Sequence, residues 1–283
     1  MKSAATATTM DREPQPKLQA LLNSVVRIAR SAGEAILEIY AQERFEVAHK
    51  RDRSPVTQAD LRANGLILDG LRAISPLPVL TEEAAEIPYE LRRDWSSYWL
   101  VDPLDGTREF VARNGEFTVN IALIADHEPV LGVVYAPALA ILYAGARNCG
   151  AFRCKDGGGA TPIHATRETR SPVRVVGSRS HQDADTEHYL AKLGPHTLTA
   201  IGSSLKLCLV AEGSADLYPR FSPTSEWDIA AGHAVLLAAR GELRQIDGLP
   251  LRYNTKADVI NPGFIAYGDT QRNWLDPGAP ISA

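Results

Sequence analysis

Apolar side chains at helical spacing mark two helices in the first quarter of the chain. From Lys17 to Ala41 they recur every three or four positions, which leaves one apolar stripe on an otherwise polar helix. The same spacing runs from about Gln58 to Ile74. Thr57, with Asp60 three residues later, predicts a capping box at the start of this second helix. We therefore expect two amphipathic helices, each with one buried face.

Between residues 77 and 144 the pattern changes to short apolar runs that are rich in β-branched residues. Charged residues, Gly or Pro separate the runs, which is typical of strands. The last three runs are joined by short linkers and predict an antiparallel meander. The five predicted strands are Leu77–Thr81, Tyr98–Val101, Phe117–Ile124, Val130–Tyr135 and Ala140–Ala144.

Beyond residue 170, short strands and helices alternate. The segment before them, Lys155 to Arg170, contains three consecutive glycines and is predicted as a loop and domain boundary. We expect a disordered leader over residues 1–16, an N-terminal α+β domain over 17–165 and a C-terminal α/β domain over 166–283. Two helix-covered sheets in tandem place the chain in the α/β class. The predicted units are strand Val173–Gly177, helix His181–Leu193, strand Thr197–Ile201, helix Ser204–Glu212, strand Asp216–Tyr218 and helix Trp227–Arg240.

The composition favours a globular, cytoplasmic protein. Of the 283 residues, 45% are hydrophobic and 23% are charged, which is enough apolar material for a core. The net charge of -4 gives no reason to expect nucleic acid or an anionic membrane as a partner. Three cysteines without a C-x-x-C pair disfavour a disulfide framework and a structural zinc site. The longest uncharged stretch, Val130 to Ala146, is interrupted by glycines and a proline, so we expect no transmembrane segment.

The segment Trp99–Thr107 carries the strongest chemical signal. An apolar strand is predicted to end at two carboxylates, Asp102 and Asp105, with a proline forcing a bend between them. On such a bend the carboxylates can converge with the backbone carbonyl of Leu104 to hold a hard cation through oxygen ligands. Gly106 and Thr107 then lead into a helix start, whose N–H groups can receive a phosphate. The alternative is an ordinary strand–turn–helix in which aspartate is a cap.

Further acidic residues fit the same kind of site. Glu82 and Glu83 follow a predicted strand, and their side chains alternate in direction, so one of them can share a site with Asp102. Asp228 opens a helix whose next residues are small and allow close approach to another element. Taken alone, Asp228 and Asp60 are equally well explained as carboxylates favoured at a helix N-terminus.

Taken together, these motifs resemble a known family. Asp60, Glu82–Glu83, Asp102–Thr107 and Trp227–Gly232 are similar to the metal signature of the inositol monophosphatase superfamily, and the resemblance extends from about Val25 to Phe264. It is closest to the bacterial 3'(2'),5'-bisphosphate nucleotidase branch. The segments typical of that branch are Asn114–Asn120, Gly202–Lys206, Ala211–Gly213, Leu217–Phe221 and Asn261–Phe264.

The resemblance implies a layered αβαβα sandwich with its site in the cleft between two halves. It implies a lithium-sensitive, Mg2+-dependent phosphatase with two or three ions. Clustered carboxylates could not all stay ionised without such cations. The implied catalytic residues are Asp60, Thr107 and Glu82. The implied metal ligands are Glu82, Asp102, the Leu104 carbonyl, Asp105 and Asp228.

The branch also implies a substrate, adenosine 3',5'-bisphosphate, and with it the related 5'-phosphosulfate and a link to sulfur assimilation. An inositol or sugar monophosphatase is the alternative within the same family, and a non-catalytic nucleotide-binding protein is the alternative outside the enzymes. We expect no nucleic-acid partner, and the location stays open between the cytoplasm and the cytoplasmic face of the inner membrane. The implied substrate-binding residues are Glu82, Leu104, Asp105, Gly106, Thr107, His181, Ser203, Lys206, Arg220 and Asp228.

Overall fold

A computed structural model describes residues 16–42, 47–49, 55–83, 87–179 and 183–278 of the chain. The helices in these ranges are α1 (Pro16–Tyr40), α2 (Gln58–Ile74), α3 (Tyr89–Arg92), α4 (Thr107–Val111), α5 (Ala184–Leu193), α6 (Leu205–Ala211) and α7 (Glu226–Ala238). The strands are β1 (Val47–His49), β2 (Pro55–Thr57), β3 (Val79–Thr81), β4 (Ser97–Asp105), β5 (Thr118–Ala125), β6 (Glu128–Ala136), β7 (Ile141–Ala146), β8 (Gly150–Lys155), β9 (Thr161–Ile163), β10 (Val173–Ser178), β11 (His196–Ile201), β12 (Leu217–Arg220), β13 (Glu242–Gln245) and β14 (Phe264–Tyr267).

The larger sheet contains seven strands in the order β3-β4-β5-β6-β7-β8-β9. Only β3 and β4 pair in parallel, and every other neighbouring pair is antiparallel. The meander predicted from the sequence is therefore confirmed in β5, β6 and β7. The prediction of a continuous loop from Lys155 to Arg170 is wrong, because Thr161–Ile163 pairs with β8. The three residues of this strand follow a run of glycines, and their sequence is too short to show the apolar alternation that predicts a strand.

The smaller sheet has the order β11-β10-β12-β14-β13. Strand β10 is parallel to both β11 and β12, as alternating strands and helices require. Strand β14 returns antiparallel to β12 and β13. Strand β13 is absent from the sequence-based prediction, because the run Glu242–Gln245 contains a single apolar residue.

Helices and sheets stack in five layers, which confirms the αβαβα prediction. Helices α1 and α2 pack on the outer face of the larger sheet, where Leu22, Ile67 and Trp99 belong to one buried cluster. Helices α6 and α7 lie between the two sheets in a second cluster. Helix α5 covers the far face of the smaller sheet through Tyr189 and Leu193.

Helix α7 approaches its neighbours unusually closely through glycines. A Cβ added to Gly132 of β6 would lie 2.1 Å from the Ala231 carbonyl oxygen. A Cβ on Gly232 would lie 2.8 Å from Cβ of Leu207 in α6. The small residues after Asp228 therefore do allow the close approach that the sequence predicts. The contact between Gly132 and Ala231 sets the position of α7, and with it the helix N-terminus, against the larger sheet.

No helix in the described part of the chain is long and apolar enough to cross a membrane. The leader predicted over residues 1–16 falls almost wholly outside the described ranges. The domain division at residue 165 stays a prediction: the two sheets part between β9 and β10, and the cluster around α6 and α7 draws residues from both sheets.

Candidate active site

A β-bulge brings the two carboxylates of the central motif to one side of the sheet. Strand β4 does not end at Val101 as predicted but continues to Asp105. Asp102 pairs with Asn120 and Asp105 pairs with Thr118, so three steps along β4 match two steps along β5. Residues three apart on a regular strand point to opposite faces, and the extra residue of the bulge cancels that difference. The predicted bend is therefore a bulge within the strand.

Asp60 and Asp228 are held by the same local device. Each is the third residue of its helix and closes a capping box. Oδ2 of Asp60 accepts from the Thr57 N–H at 2.8 Å, and Oδ2 of Asp228 accepts from the Ser225 N–H at 2.8 Å. Each aspartate can therefore cap its helix and also serve the site, because the cap engages only one of its two carboxylate oxygens. In Asp60, Oδ1 accepts from Oγ1 of Thr107 at 3.4 Å.

Glu82 stands beside Asp102 because their strands are parallel neighbours. The Glu82 N–H donates to the Val101 carbonyl at 3.2 Å, which continues the pairing of β3 with β4 by one residue. In addition to burial, the charge of the Glu82 carboxylate raises the pKa of Asp102. Asp102 accepts from the Leu104 N–H at 3.0 Å.

The buried carboxylates raise one another's pKa values. The pKa of Asp102 is raised mainly by burial, and then by repulsion from Glu82, Asp105 and Asp228. The pKa of Asp228 is raised by burial first and by Asp105 next. Burial also raises the pKa of Asp105, against the lowering effects of Lys206 and of the Ser203 hydroxyl. The cluster therefore holds more potential negative charge than its surroundings neutralise.

This excess of carboxylates fits a divalent cation. Oxygen ligands suit Mg2+, and a cation among these carboxylates would offset the repulsion between them. No group of three or more His, Cys, Asp or Glu side chains within the described ranges forms a ready-made metal cage. Hydrogen bonds already engage one oxygen each of Asp102, Asp105 and Asp228, so their remaining oxygens would have to supply the coordination.

A cleft of about 220 Å³ opens in front of these carboxylates, with walls from both halves of the molecule. Most of the predicted site residues line it. Asp102, Leu104 and Asp60 are buried beneath it, and Thr107 links them, since its hydroxyl also lies 3.4 Å from the Leu104 carbonyl. His181 lies outside the described residues. The predicted residues that line the cleft are Glu82, Asp105, Gly106, Thr107, Ser203, Lys206, Arg220 and Asp228.

Two buried cations, Lys206 and Arg220, line the same cleft as the carboxylates. Nζ of Lys206 donates to the Ser203 carbonyl and lies 5.7 Å from the centre of the Tyr218 ring. Burial lowers the pKa of Lys206 to about 8, although Asp105 opposes the change. Arg220 donates through Nε to the Ser222 carbonyl at 3.1 Å and through a terminal nitrogen to the Pro223 carbonyl at 3.2 Å. Both cations thus face the cleft from fixed positions.

A network of short polar side chains supports the site and was missed by the sequence analysis. The Ser203 hydroxyl donates to Oδ2 of Asp105 at 2.8 Å. Thr118 contacts the hydroxyls of both Ser203 and Ser204, and the Ser204 hydroxyl donates to Oδ1 of Asn120 at 2.7 Å. Thr118 and Asn120 lie in the segments typical of the resemblance, but nothing local to them indicates contact with residues more than eighty positions away.

Comparisons with known proteins show the family to which the chain belongs. A family model described as the inositol monophosphatase family matches residues 17–273. The 3'(2'),5'-bisphosphate nucleotidase CysQ of Escherichia coli (strain K12) is 50% identical over 246 residues, which are 86% of this chain and 98% of the relative. The enzyme of the same name from Haemophilus influenzae is 36% identical and covers 90% of this chain and 95% of the relative.

Solved structures place the fold in the same group. CysQ from Bacteroides thetaiotaomicron, described as a bacterial member of the inositol monophosphatase family, is 43% identical with a TM-score of 0.80 and covers 90% of this chain and 98% of its own. An inositol monophosphatase from Anabaena, 24% identical with a TM-score of 0.69, covers 94% of this chain and 98% of its own and shares the fold.

Proposed function

The chain belongs to the inositol monophosphatase family, and we propose that it is a Mg2+-dependent phosphatase that hydrolyses adenosine 3',5'-bisphosphate to AMP and phosphate. The observation that carries the proposal is one cleft that is lined both by carboxylates and by two buried cations, Lys206 and Arg220. Such a cleft suits a substrate with two phosphates. The 5'-phosphosulfate form carries the same 3'-phosphate, and the proposal includes it and the link to sulfur assimilation.

The residues proposed to hold Mg2+ are Glu82, Asp102, the Leu104 carbonyl, Asp105 and Asp228. We propose two or three ions. When bound, magnesium supplies positive charge to the attacking and leaving oxygens and favours deprotonation of a bound water.

Thr107 and Asp60 are proposed to orient and deprotonate the attacking water. The Thr107 hydroxyl donates to Oδ1 of Asp60, and Oδ2 of Asp60 is fixed by Thr57. As the water oxygen bonds to phosphorus, its proton passes to Oγ1 of Thr107, and the Thr107 proton passes to Oδ1 of Asp60. The bond from phosphorus to the ribose 3' oxygen breaks, and that oxygen takes a proton from solvent. Glu82 is the second candidate to receive the water proton.

The remaining residues are proposed to hold the substrate. Backbone N–H groups of Gly106 and Thr107 lie at the cleft and bind oxygens of the phosphate that is cleaved. Lys206 and Arg220 bind the second phosphate, and Ser203 and His181 are proposed to line the same pocket. An inositol monophosphate has no second phosphate to meet these cations, which favours the nucleotide over the inositol alternative. The complete set of acidic residues favours catalysis over simple binding.

Product analysis tests the reaction directly. The purified protein is incubated with adenosine 3',5'-bisphosphate in H2(18O), with Mg2+ or with a chelator. We expect 5'-AMP and phosphate that carries one 18O atom, with the reaction abolished by the chelator. Label in AMP, or 3'-AMP as the product, would contradict the proposed site of cleavage.

A further inference from the structure

An ion pair joins the two halves of the molecule beside Gly202, a residue that lines the cleft. Glu116 lies between α4 and β5, and Arg179 directly follows β10. Arg179 donates through Nε to Oε2 of Glu116 at 3.0 Å and through a terminal nitrogen to Oε1 at 2.7 Å. A two-bond guanidinium–carboxylate contact of this kind fixes direction as well as distance.

The same carboxylate also holds the backbone of the opposite half. Oε2 of Glu116 accepts from the Gly202 N–H at 2.7 Å, and Arg179 donates in addition to the Ala200 carbonyl at 2.9 Å. A Cβ on Gly202 would lie 2.9 Å from Cγ of Glu109 and 3.0 Å from the Glu116 carbonyl oxygen. The backbone at Gly202 therefore sits tightly against the other half.

Gly202 is directly followed by the residue that touches the carboxylate cluster. Ser203 has a backbone φ of +57°, a value that residues other than glycine rarely adopt. Its hydroxyl donates to Asp105 and its carbonyl accepts from Lys206. Such a conformation persists only where the surrounding contacts impose it. The Glu116 contact with Gly202 is one residue away from it.

We propose that Glu116 is a positioning residue: together with Arg179 it fixes Gly202, so that the Ser203 hydroxyl meets Asp105 in the orientation that catalysis needs. Arg179 acts through Glu116 and does not touch the substrate. The inference rests on the proposed function for its kinetic part only. Burial would raise the pKa of Glu116, but the Arg179 and Gly202 hydrogen bonds lower it, which agrees with a firmly held carboxylate.

A second ion pair between the halves provides a matched control. Arg153 of β8 donates to Oε2 of Glu212 at 2.7 Å, just beyond α6. The exposed fractions of its side chains, 38% and 7%, are comparable with 49% and 16% for Arg179 and Glu116. No hydrogen bond described for Arg153 or Glu212 reaches a residue that lines the cleft, whereas Glu116 accepts from Gly202, which does line it. Arg153→Ala thus removes a contact between the halves without removing one at the site.

Amide hydrogen exchange on the metal-free protein tests the contact without any substrate. Glu116→Ala should reduce the protection of the Gly202 amide by about 10-fold or more, because a hydrogen bond to a charged group is lost. Glu116→Gln keeps an oxygen acceptor and should retain more protection. Arg153→Ala should leave this amide unchanged. Unaltered protection in Glu116→Ala and Glu116→Gln would overturn the proposal.

Kinetics then separate positioning from substrate contact. We expect Glu116→Ala to lower kcat by about 10- to 100-fold with little change in KM, on both adenosine 3',5'-bisphosphate and 3'-AMP. Arg179→Ala should give a smaller loss, and the double variant should be no worse than Glu116→Ala. A loss in Arg179→Ala confined to the bisphosphate, or an equal loss of kcat in Arg153→Ala, would overturn the proposal. A wild-type protein that is inactive on the bisphosphate would contradict the proposed function. The exchange experiment would still show whether Glu116 holds the Gly202 amide.

Discussion

At the scale of single residues, Thr107 differs from the carboxylates around it because it bears no charge of its own. Its hydroxyl reaches both Asp60 and the Leu104 carbonyl. Thr107→Ala should lower kcat by about 10²- to 10⁴-fold, because a positioned proton-transfer group is lost, and should leave KM nearly unchanged. Steady-state kinetics measure both constants.

Thr107→Ser is the control for this variant, since it keeps the hydroxyl and should keep most of the activity. A collapse of substrate affinity in Thr107→Ala, with kcat preserved, would instead make Thr107 a phosphate ligand. The role of water activation would then pass to Glu82.

Lys206 and Arg220 determine substrate choice in the proposed function. Replacing either by Ala removes a charge-assisted contact worth ~1.5–3 kcal/mol, which corresponds to roughly 10- to 150-fold in kcat/KM. The loss should appear with adenosine 3',5'-bisphosphate and be small with 3'-AMP. Equal losses on both substrates would show that these residues support the fold or the carboxylate cluster.

The lowered pKa of Lys206 should make substrate binding depend on pH. Burial lowers it to about 8, so Lys206 loses its charge as pH rises through that value. The substrate phosphates are already doubly ionised there, since their second pKa is about 6. The KM for adenosine 3',5'-bisphosphate should therefore rise between about pH 7.5 and 9. If Lys206→Ala shows the same rise, another group is responsible.

At the scale of elements, the seating of α7 on β6 depends on Gly132. Gly132→Ala forces a Cβ against the Ala231 carbonyl and should reduce the free energy of unfolding by about 1–3 kcal/mol. Gly65→Ala is the matched control: the site is exposed in the middle of α2, with nothing within 4 Å of the added Cβ. It should instead stabilise by about 1 kcal/mol. Urea unfolding of both variants checks the opposite signs.

Elements specified by local pattern were predicted well from the sequence. Helix α2 was predicted from Gln58 to Ile74 together with its capping box, and the structure has both. These features depend on residues within one turn of each other. The continuation of β4 to Asp105 was missed, because a proline reads as a break and only pairing with β5 turns it into a bulge.

The site likewise has parts that local sequence predicts and parts that it does not. The motif around Asp102 and Asp105 predicted a cluster of carboxylates, and the structure brings both close to Asp228. Their role as metal ligands stays a prediction. The contact of Glu116 with Arg179 joins residues 63 positions apart, and no local pattern distinguishes this glutamate from one in an exposed turn. Such contacts depend on the packing of the two halves.

At the scale of the whole molecule, the cleft exists because the two sheets supply different chemistry. The larger sheet carries Asp102 and Asp105 on β4, while the C-terminal half contributes Lys206 and Arg220. Helix α7 lies between the sheets and presents Asp228 at its N-terminus. The larger sheet and α7 thus supply the carboxylates, and the C-terminal half also brings the cations that an anionic substrate requires.

The measurement that tests this account most directly is the ratio of kcat/KM for adenosine 3',5'-bisphosphate to kcat/KM for inositol 1-phosphate, with and without Mg2+. Asp228→Asn serves as the inactive control. We predict phosphate release that requires Mg2+, a ratio well above one, and loss of most turnover in the control. A ratio at or below one, or release that persists without a divalent cation, would contradict the account.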